Sequence, residues 1–222
     1  MASRGAAANG RERRAADRWS VATPRGTAEV ELTMPAAKPA ALLVLGHGAG
    51  GSVEAPDLRA VRAAALDAGA AVARVTQPYR VVGRRTPPPA PHLDEAWTAV
   101  IEALRADRPA LAGVPLIVGG RSSGARVASR TAAGLGAAAV VALAFPLHPP
   151  GKPDRSRADE LTGAVPTLVV NGDRDPFGVP PERPGVRVVV RPGDRHDLRG
   201  DPAAVGEAVV GFLRELRLVP AS

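Results

Sequence analysis

The residue that the sequence marks out for chemistry is Ser122, the centre of a G-x-S-x-G pattern with Gly120 and Gly124 at its ends. The pattern follows an apolar predicted strand, residues 115–119, and precedes a predicted helix, residues 123–133. A serine nucleophile raised above a sheet by such a strand–turn–helix requires small residues two positions before and two positions after it. Ser122 meets this requirement, so the sequence predicts it as a nucleophile for acyl transfer.

The neighbouring Ser123 does not meet the same requirement, because Arg121 and Ala125 would stand at the two positions that must be small. An alternative interpretation of the pattern is a Gly-Ser loop in which the serine only caps the following helix. The position between a strand and a helix favours the nucleophile over the cap.

A serine nucleophile needs a base, and the base needs an acid that orients it. Asp175 follows a predicted strand at residues 167–170, and His196 follows the last predicted strand, residues 186–190. Because the carboxyl ends of parallel strands meet at one edge of a sheet, we expect these side chains to reach Ser122. The sequence therefore predicts Ser122, Asp175 and His196 as catalytic residues.

Other assignments of acid and base are open at this point. Asp173 lies in an Asn-Gly-Asp turn, where an aspartate usually accepts backbone hydrogen bonds. His148 also follows a strand, but it precedes both aspartates in the chain. The alternative for His196 is an ordinary surface histidine without a catalytic role. We expect Asp175 and His196 because their order after the serine fits the chain order of known triads.

Two backbone N–H groups are needed to stabilise the oxyanion that forms during acyl transfer. We expect the first from Ser123, which opens the helix, and the second from Ala49 in the loop His47-Gly48-Ala49-Gly50-Gly51. The alternative for this loop is a phosphate-binding turn, but it lacks both G-x-G-x-x-G spacing and a Walker lysine. His47 is expected to be structural, hydrogen-bonded within its own loop.

Short apolar segments alternate with longer helical patterns from residue 19 onward, which is typical of βαβ units. We therefore predict an α/β fold with a mostly parallel central sheet, helices on both faces and an antiparallel N-terminal hairpin. Residues 1–18 are predicted to be a disordered basic arm, and residues 19–222 a single domain without a lid domain. Two proline-rich segments, 77–91 and 146–163, are predicted to be long loops. The predicted strands are 19–22, 29–34, 41–46, 71–76, 115–119, 140–145, 167–170 and 186–190, and the predicted helices are 57–68, 93–106, 123–133 and 203–216.

Composition excludes several classes of function. The 222 residues are 45% hydrophobic and 23% charged, and they contain no cysteine, so a disordered chain and thiol chemistry are excluded. The longest apolar run, residues 137–145, is too short for a membrane span. The four histidines do not have the spacing of metal ligands, and we expect no metal site and no cofactor.

The net charge of +7 could indicate nucleic-acid binding, but three of those charges lie in residues 1–18 and the whole chain has only six aromatic residues. We therefore expect no nucleic-acid partner and no membrane partner. Residues 1–18 also lack the apolar core of a secretory signal, which favours a cytoplasmic location. The sequence makes no prediction about oligomeric state.

Four segments in this order, residues 119–129, 145–153, 172–178 and 193–198, resemble the α/β-hydrolase superfamily. The resemblance is to the small lidless branch of predicted bacterial hydrolases near the dienelactone hydrolases, which is related to a scaffold subunit of a nuclear histone acetyltransferase complex. It implies a serine hydrolase fold and catalytic roles for Ser122, Asp175 and His196, but no particular substrate. Ser123 stands where this branch usually has Met.

We therefore expect a serine hydrolase that cleaves a small carboxylic ester or thioester through an acyl-serine intermediate. The alternative is a non-catalytic interaction or regulatory module on the same scaffold, because a fold does not imply a function. The cationic residues of the two proline-rich loops could attract an anionic substrate, or they could simply form a solvated loop surface. These residues are Arg80, Arg84, Arg85, Lys152, Arg155 and Arg157. The residues predicted to line the substrate pocket are Gly48, Tyr79, Arg121, Leu147, His148 and Phe177.

Overall fold

The strands that carry the predicted site lie side by side in one sheet. The computed structural model describes residues 16–221. Its eight strands form a single sheet in the order β1-β2-β4-β3-β5-β6-β7-β8, which confirms the predicted α/β fold. The strands are β1 (Asp17–Thr23), β2 (Gly26–Thr33), β3 (Leu42–Gly46), β4 (Ala71–Thr76), β5 (Leu116–Arg121), β6 (Ala139–Leu143), β7 (Thr167–Gly172) and β8 (Val186–Arg191).

Strand direction follows the prediction. β1 and β2 form an antiparallel hairpin, and β2 joins the sheet antiparallel to β4. The strands from β4 through β3, β5, β6 and β7 to β8 are parallel, so their carboxyl ends share one edge. At that edge Gly46 is in register with Gly120, which brings the loop after β3 next to the loop after β5.

Six helices cover the two faces of the sheet. They are α1 (Pro56–Asp67), α2 (Pro78–Val81), α3 (Ala90–Asp107), α4 (Pro109–Ala112), α5 (Ser123–Thr131) and α6 (Pro202–Glu215). The apolar stripe of α3, which includes the buried Trp97 and Ile101, packs on one face of the sheet together with α5. Helices α1 and α6 pack side by side on the other face through Leu58 and Val209. The strands buried between these two layers are almost wholly apolar, as parallel strands covered on both faces must be.

The first proline-rich segment contains a helix that the sequence analysis did not predict. We expected residues 77–91 to be a loop, but α2 begins at Pro78, and α3, predicted to begin at residue 93, begins at Ala90. The prolines in question stand in first turns, where the missing N–H has no intrahelical partner to lose. Proline content alone therefore did not exclude helix here.

The second segment, between β6 and β7, holds no inserted domain in the described chain. Its only regular structure is a single turn of 3-10 helix at Ala158–Glu160. At the N-terminus, the strand begins at Asp17, two residues before the predicted start of the domain at residue 19. The rest of the predicted basic arm, residues 1–15, lies outside the described residues. No helix among residues 16–221 combines the length and the apolar composition needed to cross a membrane.

Candidate active site

Ser122 sits at a strained turn between β5 and α5. Its φ of 53° and ψ of −109° are a conformation that residues with a side chain rarely adopt. The two flanking glycines are required by close packing, since a Cβ on Gly120 or on Gly124 would lie 2.6 Å or 2.5 Å from the carbonyl oxygen of Gly46. The small-residue requirement inferred from the sequence thus has a physical cause. β3 runs directly beneath the turn.

The three predicted catalytic side chains form one hydrogen-bonded chain. The Oγ atom of Ser122 lies 2.9 Å from Nε2 of His196, and Nδ1 of His196 lies 2.8 Å from Oδ2 of Asp175. A carboxylate only accepts hydrogen bonds, so Nδ1 carries the proton and Nε2 is free to accept the serine hydroxyl. This arrangement is the one in which an imidazole can remove a proton from a serine.

Asp175 is held from several sides and is buried. Its side chain is 0% exposed, compared with 19% for His196. Its Oδ1 accepts the backbone N–H of Phe177 at 2.9 Å, which leaves Oδ2 for the histidine. Asn171 crosslinks this loop to the end of β6, because its side chain donates to the carbonyl of Gly178 and to that of Phe145.

Asp173, the rival for the acid, faces away from the histidine. Its Oδ1 accepts the backbone N–H of Gly193 at 2.8 Å, and its own N–H donates to the carbonyl of Arg191. The residue therefore joins the loop after β7 to the loop after β8, as expected for a turn-forming aspartate.

Phe177 packs edge-on against the imidazole of His196, with ring centroids 4.4 Å apart, and so limits the rotation of that ring.

The loop after β3 is fixed by His47, as the sequence analysis expected. Its Nε2 accepts the backbone N–H of Gln77 at 3.0 Å, so Nδ1 carries the proton and donates to the carbonyl of Gly48 at 2.8 Å. Burial of the ring lowers the pKa of His47 below its ordinary value, which favours this neutral form. The N–H of Gly51 donates to the same carbonyl at 3.1 Å.

The fixed Gly48 carbonyl determines where the next N–H points. In a trans peptide the C=O and the following N–H point in opposite directions, so the Ala49 N–H is directed away from His47. The Tyr79 hydroxyl holds the next peptide by donating to the Ala49 carbonyl at 2.6 Å. Burial raises the pKa of Tyr79 to about 12, so the hydroxyl remains protonated at neutral pH.

Ser123, the other predicted oxyanion donor, is the first residue of α5. The first N–H groups of a helix have no intrahelical acceptor.

A cavity of about 430 Å³ opens beside Ser122 and His196. Of the six predicted pocket residues, Gly48, Arg121 and Phe177 line it, and so do the predicted oxyanion residues Ala49 and Ser123. The lining residues that the sequence analysis did not name for the pocket are Gly50, Gly51, Pro87, Arg126, Pro146, Pro150 and Arg157.

Tyr79, Leu147 and His148 do not line this cavity, contrary to the prediction. Tyr79 lies behind the Ala49 loop, which it supports. The carbonyl of Leu147 accepts the N–H of Arg157, and the ring of His148 packs against Gly178. All three follow strand ends or adjoin the site in sequence, but position in sequence does not determine on which side of a loop a side chain lies.

Arg121 connects four parts of the site. Its Nε forms an ion pair with Oδ2 of Asp57 at 3.1 Å, and its Nη2 donates to the backbone carbonyl of His196 at 2.8 Å. The guanidinium also lies against Gly48 of the loop after β3. Burial raises the pKa of Asp57, and the positive charge of Arg121 opposes that rise. The sequence analysis missed Asp57, because an aspartate in the first turn of a helix is common.

A family described as "Alpha/beta hydrolase domain" matches residues 39–188, which is more than half of the chain. The chain belongs to this family. A search of curated proteins found no significant match for this alpha/beta hydrolase.

Solved structures share the hydrolase fold over nearly the whole chain. A serine hydrolase without a lid from Xanthomonas campestris is 22% identical, with a TM-score of 0.71 over 94% of this chain and 97% of its own. A thermostable carboxyl esterase from Bacillus coagulans is 13% identical, with a TM-score of 0.72 over 91% and 99%. A dienelactone hydrolase from Anabaena variabilis is 20% identical, with a TM-score of 0.69 over 90% and 98%.

A second depression of the hydrolase surface, about 510 Å³, lies at the opposite edge of the sheet. It is lined by residues at the amino ends of β7 and β8, such as Thr167 and Val186, and by Phe212 of α6. Ligands of parallel sheets bind at the carboxyl ends instead, where Ser122 lies. Among residues 16–221, no three acidic or histidine side chains cluster in a way that would hold a metal ion.

Proposed function

We propose that this chain is a serine hydrolase that cleaves small carboxylic esters or thioesters through an acyl-Ser122 intermediate. The observation that carries the proposal is the continuous chain from Ser122 Oγ through both ring nitrogens of His196 to the buried Asp175. A buried carboxylate beside Nδ1 stabilises the imidazolium that forms when His196 accepts the serine proton.

In the first half of the reaction, Ser122 Oγ attacks the carbonyl carbon of the ester while its proton moves to Nε2 of His196. The carbonyl oxygen becomes an oxyanion, which the N–H groups of Ala49 and Ser123 stabilise. The intermediate then collapses, the bond to the alcohol or thiol breaks, and the leaving group takes the proton from His196. The acyl group remains as an ester of Ser122.

In the second half, a water molecule gives a proton to Nε2 and attacks the acyl carbon. Collapse of the second tetrahedral intermediate breaks the bond to Oγ and returns the proton to Ser122. The net reaction consumes one ester or thioester and one water, and it yields one carboxylic acid and one alcohol or thiol. No oxidant or reductant is required.

The size of the site supports small substrates. Its cavity holds about 430 Å³, and the two proline-rich loops contribute few residues to its wall, namely Pro87 from the first loop and Pro146, Pro150 and Arg157 from the second. The acyl chain of a long-chain ester would extend beyond this wall. The carboxyl esterase and the dienelactone hydrolase among the similar structures support ester-type substrates.

The proposal is tested by labelling the intact protein with a fluorophosphonate probe and locating the adduct by mass spectrometry. We expect the adduct on Ser122, and none in the Ser122→Ala variant, with Ser123→Ala still labelled. Hydrolysis of 4-nitrophenyl acetate should fall in Ser122→Ala by several orders of magnitude. An unlabelled, inactive wild-type protein would instead favour the non-catalytic interaction module.

Two further expectations from the sequence stand beside this proposal. The cytoplasmic location expected from the sequence stays a prediction. The relation to a scaffold subunit of a histone acetyltransferase complex remains a prediction from sequence resemblance.

A further inference from the structure

Three arginines line the cavity beside Ser122, and two of them are already paired. Arg121 is engaged by the buried Asp57 and by the carbonyl of His196. Arg126 forms two parallel hydrogen bonds to Glu160, of 2.8 Å from Nε and 2.5 Å from Nη2. These two guanidinium groups are therefore occupied by the protein itself.

The third, Arg157, is different. Its backbone is fixed, since its N–H donates to the carbonyl of Leu147 at 2.7 Å and its carbonyl accepts the N–H of Glu160 at 3.0 Å. Its guanidinium, in contrast, has no hydrogen-bond or ion-pair partner among residues 16–221. The partly buried guanidinium of Arg157 therefore lines the cavity on a backbone that is held in place by hydrogen bonds.

The carboxylates near Arg157 are used by other arginines. Both oxygens of Glu160 bind Arg126, and one of them also binds Arg130 at 3.2 Å. Arg130 takes both oxygens of Asp94. Arg126 and Arg130 therefore take the hydrogen bonds of both carboxylates, and Arg157 brings to this wall a third guanidinium that neither carboxylate binds.

The surroundings of Arg157 disfavour its charged form. Partial burial, followed by repulsion from Arg126, lowers the pKa of Arg157 from its ordinary value, and the negative charge of Glu160 opposes this lowering. A bound anion would remove the repulsion and replace the water that burial has taken away. A planar guanidinium fork with one positive charge is matched by a carboxylate, which offers two coplanar oxygens and a single negative charge.

We propose that Arg157 binds a carboxylate of the substrate, so that the preferred substrate is a small ester or thioester that carries a carboxylate on its acyl part or its alcohol part. This inference rests on the proposed hydrolase function and specifies its substrate class. The carboxylate and the scissile carbonyl would occupy the same cavity, with Arg157 and Ser122 both in its lining.

The test compares two pairs of esters, and in each pair one ester carries a free carboxylate where the other carries its methyl ester. For the acyl part, the pair is mono-4-nitrophenyl adipate and its methyl ester; for the alcohol part, it is 4-acetoxybenzoate and methyl 4-acetoxybenzoate. The wild type should hydrolyse the anionic member of one pair with the higher kcat/KM, and that pair identifies which part carries the carboxylate.

Arg157→Gln should lower kcat/KM for that anionic ester by about 10- to 100-fold, because a charged hydrogen bond is lost, and should change the neutral ester by less than about twofold. Arg157→Lys, which keeps the charge without the fork, should give an intermediate loss. The matched control is Arg155→Gln, an exposed arginine of the same loop that does not line the cavity, and it should affect neither ester.

The outcomes separate the inference from the function on which it rests. Hydrolysis of the neutral esters with no preference for either anionic one, or an equal loss in Arg157→Gln and Arg155→Gln, would overturn the inference and leave the hydrolase intact. A protein that neither hydrolyses any of the four esters nor reacts with the fluorophosphonate probe would overturn both. As a second readout, free adipate should slow probe labelling of Ser122 in the wild type but not in Arg157→Gln.

Discussion

The guanidinium of Arg121 and the carboxylate of Asp57 form an ion pair of 3.1 Å in which the carboxylate is fully buried. Arg121 is the residue directly before Ser122, and Asp57 stands in the first turn of α1. The Nη2 group of Arg121 donates to the His196 carbonyl. A single side chain therefore joins the turn that bears the serine to the loop that bears the histidine.

The first prediction concerns this connection. Arg121→Met should destabilise the protein by about 3–5 kcal/mol, because it leaves the buried charge of Asp57 without a partner. Adding Asp57→Leu to that variant should recover much of the stability, since both charges are then gone. It should not recover kcat for 4-nitrophenyl acetate, because the His196 carbonyl still lacks its donor. Urea unfolding and steady-state kinetics measure the two effects separately.

The double variant is the decisive protein in this series. If it regained wild-type kcat together with stability, Arg121 would serve only to neutralise Asp57. Arg121→Lys provides a further comparison, because a lysine can keep the ion pair but cannot reach both partners with a planar fork. We expect it to be stable and slow.

The second prediction distinguishes the two aspartates of the loop after β7. Asp175→Asn should lower kcat by about four orders of magnitude, because an amide cannot stabilise the imidazolium or hold the correct tautomer of His196. Asp173→Asn should lower it by less than about tenfold, since the amide oxygen can still accept the N–H of Gly193. A larger loss of kcat in Asp173→Asn than in Asp175→Asn would mean that Asp173, not Asp175, is the acid that orients His196.

The contrast between these aspartates illustrates what the sequence could predict. The triad and the serine turn follow local rules, namely chain order, strand ends and the need for glycine at two positions, and all three side chains meet as expected. The buried strands were likewise predictable as segments, because parallel strands covered on both faces are apolar throughout. These features are determined by the local sequence around each residue.

The cavity wall depends on features that are distant in sequence. Arg126 lies one turn into α5 and Asp57 in α1, and each is paired with a residue far along the chain, Arg126 with Glu160 and Asp57 with Arg121. Tyr79 was expected in the wall, yet its hydroxyl donates to the Ala49 carbonyl. Side-chain direction in loops is set by tertiary contacts, and the sequence carries no periodic signal for it.

The third prediction tests the packing beneath the serine. Gly124→Ala would place a Cβ atom 2.5 Å from the Gly46 carbonyl oxygen, so β3 or α5 has to move. We expect a loss of about 3 kcal/mol or more in unfolding free energy. Activity should fall as well, because Gly46 directly precedes the loop that carries Ala49. Gly113→Ala is the control, since a Cβ there meets nothing within 4 Å and its φ of −99° suits alanine. It should change stability by less than about 1 kcal/mol. Equal effects of the two substitutions would contradict the role of close backbone packing.

The last prediction concerns His47 and pH. Burial lowers the pKa of His47 in the folded protein below its ordinary value of 6.5, and the positive charge of Arg80 also contributes to this lowering. As pH falls below about 6.5, the unfolded chain therefore binds a proton at this histidine before the folded chain does, and the folded state loses stability until the pH passes the folded pKa.

The measurement is the free energy of unfolding between pH 8 and pH 5 for the wild type and for His47→Gln, which cannot titrate. The wild type should lose stability relative to the variant by up to about 1.4 kcal/mol per pH unit below pH 6.5, and the two curves should run parallel above pH 7.5. Every other titrating group is common to both proteins and cancels in the difference. Parallel curves over the whole range would mean that folding does not disfavour the protonated form of His47. That result is incompatible with a buried Nε2 that accepts the Gln77 N–H, because a protonated Nε2 has no lone pair to offer.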